Sequence, residues 1–141
     1  MKFFARLLVL ALIVGVSQSK MYEARVDYVI DGDTVVLEDG THVRLLQINA
    51  PERGECGYEE ATNRLRELVG HKVVKIEQDP LFGNEDKYKR TLAYLHVGDV
   101  NVNVELQREG YVNTLFYNGV EGKYAYLMNG PGPWKVVMDI E

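Results

Sequence analysis

From Tyr22 to Ile30 polar and apolar residues alternate with many β-branched positions, and the same texture returns over Thr34 to Leu37 and His42 to Ile48. A period of two places alternate side chains on opposite faces of a pleated strand, so these segments read as three strands. Asp31-Gly32 and Asp39-Gly40 sit between them as hairpin signals, which makes the run a β-meander. The period then changes. Over Glu59 to Val69 the residues Ala61, Leu65, Leu68 and Val69 fall on one side of a 3.6-residue repeat, acids open the segment and Gly70 follows it, the pattern of an amphipathic helix with a glycine stop. Lys72 to Gln78 and Thr91 to Val97 read as two further strands, joined by the polar loop Asp79 to Lys89. Asn103 is expected to cap a short helix running through Leu106 to Gly110. Glu121 to Met128 is expected to form a last helix, stopped by Gly130-Pro131-Gly132-Pro133, with Trp134 beyond it as an apolar anchor.

Five strands with a helix between the third and fourth is the order of an OB-type Greek-key barrel, so the expected class is α+β, mainly β, with two or three helices. A chain of 141 residues, 46% hydrophobic and 26% charged, has apolar material for one core and no room for a second domain. The first nineteen residues differ from the rest. Lys2 and Arg6 precede an apolar run from Leu7 to Val16, and Ser17-Gln18-Ser19 follows, the layout of a secretory signal. As a helix that run reaches only about 15 Å against a hydrocarbon core of about 30 Å, which disfavours a spanning anchor. The expectation is a signal peptide at 1–19, a single domain at 20–141, and a secreted or periplasmic monomer with no stable membrane partner after cleavage.

Charge narrows the function. The formal net charge is −5, and loss of residues 1–19 removes two basic groups and no acid, leaving a more acidic chain. That is the wrong sign for a protein that coats nucleic acid through many phosphate contacts, whereas an enzyme needs only a local basic cluster. Cys56 is the sole cysteine, so no internal disulfide is possible and packing alone must hold the fold.

Four segments carry residues suited to phosphodiester chemistry. Asp31-Gly32-Asp33-Thr34 projects carboxylates from a tight turn, and hard oxygen ligands on a fixed edge suit calcium. In Arg44-Leu45-Leu46-Gln47-Ile48-Asn49-Ala50-Pro51-Glu52 a strand ends in a proline-fixed turn; Arg44, Leu46 and Ile48 share strand parity, and an arginine on an apolar strand needs an anionic partner, which a phosphate or a neighbouring acid supplies. Asp86-Lys87-Tyr88-Lys89-Arg90-Thr91 delivers Arg90 from a basic loop to the start of a strand, where a guanidinium can stabilise charge on phosphoryl oxygens. The fourth, Val102-Asn103 through Arg108-Glu109-Gly110, looks architectural.

In this order and spacing, from about Val26 to Tyr117, the segments resemble the staphylococcal nuclease family. The resemblance implies a calcium-dependent nuclease acting on DNA or RNA with little sequence preference and leaving 3′-phosphorylated products. It implies calcium ligation by Asp33, Asn49 and the Ala50 carbonyl, general-base action by Glu52, and catalytic arginines at Arg44 and Arg90. Lys87 and Tyr88 match positions that contact a terminal phosphate, and Phe116 or Tyr117 would stack on a base. Two positions depart from the family. Asn49 stands where an aspartate is usual, which should weaken calcium binding, with Asp31 near enough to contribute charge. Lys89 replaces a glycine, which argues against a left-handed backbone there. The histidines His42, His71 and His96 match no catalytic position. Competing readings are an inactive nuclease-like module that binds single-stranded nucleic acid, and an OB barrel that binds a protein or small ligand.

Overall fold

The computed structural model describes residues 20–128 together with Gly15. The expected signal segment and Trp134 lie outside the described residues. Among the described residues no helix is long and apolar enough to cross a membrane.

The barrel is organised by its first strand. β1 (Met21–Asp31) is eleven residues long and pairs antiparallel with two partners in succession, with β5 (Val73–Glu77) through Met21 to Arg25 and with β2 (Thr34–Leu37) from Val26 onward. Two register irregularities, between Val26 and Tyr28 and between Val29 and Asp31, accompany the bend that lets one strand serve both sides. β2 pairs antiparallel with β3 (His42–Leu45), β5 pairs antiparallel with β6 (Thr91–Val97), and β3 and β6 close the ring by parallel pairing, Arg44 opposite Leu92. The result is the five-stranded OB barrel that the sequence predicts. The inward residues, among them Val26, Val35, Val43, Ala93 and Leu95, are essentially inaccessible, and α1 (Tyr58–Val69) seals one end with Ala61, Leu65 and Val69.

Local expectations fare unevenly. The strand expected over His42 to Ile48 breaks at Leu45. Gln47 adopts a left-handed conformation (φ 66°), and Ile48–Asn49 forms a separate short strand, β4, paired with β8 (Asn113–Thr114). Arg44, Leu46 and Ile48 therefore do not share one continuous strand face. Gln47 is buried despite its polarity because its side chain bridges to the C-terminal segment, accepting from Gly122 N at 2.7 Å, while Leu115 N donates to its carbonyl at 2.8 Å.

The short helix α2 (Val102–Arg108) follows the β7 segment Val100–Asn101, and its cap is Asn101, whose side chain accepts from Val104 N. Asn103, expected as the cap, is instead fully buried. It accepts from Leu95 N at 3.1 Å and donates to the carbonyls of Leu46 at 2.9 Å and Ala93 at 3.2 Å, thereby holding β6 against the broken end of β3. The helix expected over Glu121 to Met128 contracts to one 3-10 turn, Ala125–Leu127.

That C-terminal segment is held by buried acids. Glu77, with no exposed surface, accepts hydrogen bonds from Lys123 Nζ (2.6 Å), Tyr124 Oη (2.7 Å) and His96 Nε2 (2.7 Å). Asp79 accepts from Lys123 N and Tyr94 Oη. Burial alone would raise the Glu77 carboxyl, but the donors on Lys123, Tyr124 and His96 outweigh it and hold the group below the ordinary glutamate range. A carboxyl depressed in the folded state stabilises fully above its unfolded value of about 4.3 and loses that contribution as pH falls through the folded value. Stability of the wild-type chain should thus decline below about pH 4.5, and Glu77→Gln should flatten that decline in chemical-denaturation curves across pH 3 to 7; an unchanged acid slope would place the sensitivity elsewhere.

Candidate functional site

The turn between β1 and β2 is built around Gly32. A Cβ there would lie 2.7 Å from the Ala61 Cβ and 2.8 Å from the Ala50 Cβ, so the turn presses against both α1 and the end of β4. This close approach carries Asp33 to Ala50, whose backbone N donates to Asp33 Oδ2 at 2.9 Å. Thr34 Oγ1 donates to Asp33 Oδ1 at 2.9 Å, and Leu45 N donates to the Asp33 carbonyl at 2.8 Å. Asp33 is only 6% exposed.

Arg44 meets Asp33 directly. Its Nη2 lies 3.3 Å from Asp33 Oδ2 and donates to Asn49 Oδ1 at 3.3 Å, while Nη1 donates to the carbonyls of Leu45 (2.6 Å) and Ile48 (2.9 Å). One side chain therefore both ties the broken strand together and sets a positive charge between two candidate oxygen ligands. The broken strand, not a straight one, is what lets the guanidinium reach Asn49.

Asp31 joins this group by donation from Asp33 N to its Oδ1 at 3.0 Å. Burial, then the negative charge of Asp33, push its carboxyl up to about 6 against the opposing hydrogen bond from Asp33 N and the charge of Arg44. The Asp31 and Asp33 carboxylates and the Asn49 amide oxygen, with the Ala50 carbonyl next along the chain, are hard oxygen donors of the kind that suit a divalent cation, and Arg44 already lies between Asp33 and Asn49. Two of these four donors, the Asn49 amide and the Ala50 carbonyl, are uncharged, and among the described residues no cluster of three or more His, Cys, Asp or Glu side chains that could hold a metal occurs.

Glu52 lies two residues past Ala50, an exposed side chain on a turn in which its N donates to Glu55 Oε1 (2.8 Å) and its carbonyl accepts from Glu55 N (2.9 Å). Arg90 immediately precedes Thr91, the first residue of β6, which pairs with Val43 next to Arg44. Its guanidinium does not touch Asp33 or Arg44. It is held by Asp86, Nε to Oδ2 at 2.7 Å, and lies 5.4 Å from the Tyr88 ring centre, with Lys87 Nζ at 5.1 Å from the same ring. Burial raises the Asp86 carboxyl, but donation by the backbone and side chain of Arg90 and by Tyr88 N outweighs it and lowers the group below the usual aspartate range.

Asp86 organises this loop so that Lys89, against the expectation from its side chain, takes a left-handed backbone. Its carbonyl accepts from Lys89 N, its Oδ1 from the backbone N of Tyr88 and Arg90, and Lys89 is consequently left-handed at φ 62°. A non-glycine residue there is strained by about 1 kcal/mol relative to glycine.

The stacking candidates follow β8. Phe116 is half-buried and Tyr117 is 52% exposed, three and four residues after Asn113, the cross-strand partner of Asn49. Direct contact thus unites Asp31, Asp33, Arg44, Asn49 and Ala50; Glu52 adjoins them along the chain; Arg90, Lys87 and Tyr88 form a second group brought alongside by the β3–β6 register. Asn113 is the neighbour that sequence reasoning missed, and nothing local marks it, because only the β4–β8 ladder sets it opposite Asn49.

Residues 42–129, more than half of the chain, match the model of the staphylococcal nuclease homologue family; Asp31 and Asp33 precede the matched span. The chain is 36% identical over 98 residues to a thermonuclease of Staphylococcus intermedius, covering 63% of this chain and 57% of that protein. It is 32% identical over 113 residues to a thermonuclease of Staphylococcus hyicus, covering 73% and 65%, and 32% identical over 117 residues to endonuclease YncB of Bacillus subtilis strain 168, covering 77% and 55%. The matches thus take in between about half and two thirds of each relative's length.

Proposed function

The chain belongs to the staphylococcal nuclease family, and from that premise we propose that it is a metal-dependent nuclease hydrolysing phosphodiester bonds of DNA or RNA and leaving 3′-phosphorylated ends. The observation that carries this reading is the contact of Asp33, Arg44 and Asn49 at one barrel edge, with Glu52 two residues past Ala50 and Arg90 in the loop that leads into β6, the strand paired with β3. A calcium ion held by Asp31, Asp33, Asn49 and the Ala50 carbonyl would supply Lewis-acid neutralisation of the diester. Arg44 keeps the Asn49 amide oxygen turned toward Asp33. Arg90 offers its remaining guanidinium N–H groups to nonbridging oxygens, and Glu52, exposed to water, takes the proton of the attacking molecule. Lys87 and Tyr88 hold a terminal phosphate and Phe116 or Tyr117 a base. Export from the cytoplasm, resting on the composition of residues 1–19, is part of the same proposal.

Incubation of the full chain with single-stranded DNA and calcium tests it. Cleavage abolished by a chelator supports the reading. Chelator-insensitive cleavage would assign the activity to another mechanism, and binding without cleavage would favour a nucleic-acid-binding module. Asn49→Asp adds a charge to the ligand set, so calcium titration calorimetry should give a tighter complex, by about tenfold if the added carboxylate contributes the ~1.4 kcal/mol of one decade. Equal or weaker binding would remove residue 49 from the metal site.

A further inference from the structure

The loop Glu85 to Arg90 contains three cations, and two of them are already engaged. Arg90 is paired with Asp86, and Lys87 lies over the Tyr88 ring. Lys89 has neither kind of partner. Of the other described lysines, Lys20 lies over Tyr22, Lys72 donates to the carbonyls of Glu67 and Leu68, and Lys123 is bound to Glu77. Lys89, like Lys75 on β5, has no ion pair, hydrogen bond or ring contact among the described residues, and it is the one of the two in the loop that carries Arg90.

It also occupies the left-handed corner of the Asp86 turn, where glycine would be unstrained. Strain retained at an exposed position, on a turn already closed by backbone donation to Asp86, needs a gain made elsewhere. A cation next in sequence to Arg90 would find that gain on the strand whose diester Arg90 addresses, as a local positive site on an otherwise acidic chain.

Resting on the nuclease reading, we propose that Lys89 binds a backbone phosphate neighbouring the scissile one, so that this chain holds longer single strands more tightly than short ones. Arg90 addresses the reacting diester, and Lys89 addresses the next phosphate along the strand. Its ammonium, a compact charge on a flexible stem, suits a phosphate whose position need not be fixed.

The test is binding of a fluorescent ten-residue oligothymidylate to the full chain in chelator, over a series of salt concentrations, with Lys89→Gln, Lys89→Gly and Lys89→Arg. One lost phosphate contact lowers the single-strand salt slope by about 0.7, which between 1 M and 0.05 M salt amounts to roughly eightfold in affinity. Glutamine and glycine should both show that loss and arginine should restore binding. The penalty should shrink for a dinucleotide with one phosphodiester, read as KM in cleavage. Wild-type slope in the glutamine variant overturns the proposal and leaves the nuclease reading standing, as does an equal penalty on both substrates. A loss with glutamine but not with glycine would trace the effect to backbone strain and also overturn it. Absence of salt-dependent binding by the wild-type chain overturns this proposal, while the nuclease reading is decided separately by cleavage with calcium.

Discussion

Arg90→Ala is expected to lower the turnover of single-stranded DNA by about 100- to 1000-fold while leaving the melting temperature within a few degrees of wild type. Removing one preorganised donor to a developing phosphoryl charge costs that much in comparable sites. The fold loses little because the partner is a partly exposed carboxylate, and such pairs contribute about 1 kcal/mol or less. The turn itself survives, since Asp86 Oδ1 still accepts from the backbone N of Tyr88 and of residue 90. Arg90→Lys should recover only a small part, because an ammonium cannot offer the two parallel donors of a guanidinium. The measurement is kcat and KM beside a thermal melt. Unchanged kcat in the alanine variant would detach this loop from the chemistry, and the same experiment on Arg44 could not decide the matter, because Arg44 also ties the carbonyls of Leu45 and Ile48.

Asn103→Ala should lose about 3 to 5 kcal/mol of folding stability, the largest single effect we expect outside the apolar core. The side chain is fully buried and satisfies one N–H and two carbonyls, and each buried backbone group left without a partner costs about 1–3 kcal/mol. For a domain stable by about 5–15 kcal/mol this is a large share. Asn103→Asp should be no better than alanine despite its matching volume, because a carboxylate keeps the acceptor for Leu95 N and turns an acceptor toward the carbonyls of Leu46 and Ala93. Urea unfolding of both variants checks this. An aspartate variant near wild type would mean that the site requires volume and not donors.

The two residues show where local reading stops. Asn103 lies at a helix start and is a good capping residue, so local chemistry assigns it that role. The helix begins two residues earlier than such a cap requires, Asn101 takes the cap, and Asn103 is turned inward to the gap between β6 and the end of β3. Lys89 shows the same limit from the other side. Intrinsic preference argues against a left-handed lysine, yet the Asp86 carboxylate gathers the N–H groups of Tyr88 and Arg90, and that turn imposes the conformation.

Alternation, turn residues and one change of period were enough to give the five barrel strands and α1, because burial of one face is written in the spacing of side chains. The four polar segments likewise disclosed a candidate site, since each carries its charged groups within a few residues. What the line of residues does not contain is the break at Gln47, the ladder that sets Asn113 against Asn49, and the burial of Glu77 beneath Lys123 and Tyr124. Each depends on groups 19 to 75 residues apart in sequence. Such contacts form only once the barrel has closed, and tertiary hydrogen bonds of buried polar groups then outweigh the weak local preferences of the segments that supply them.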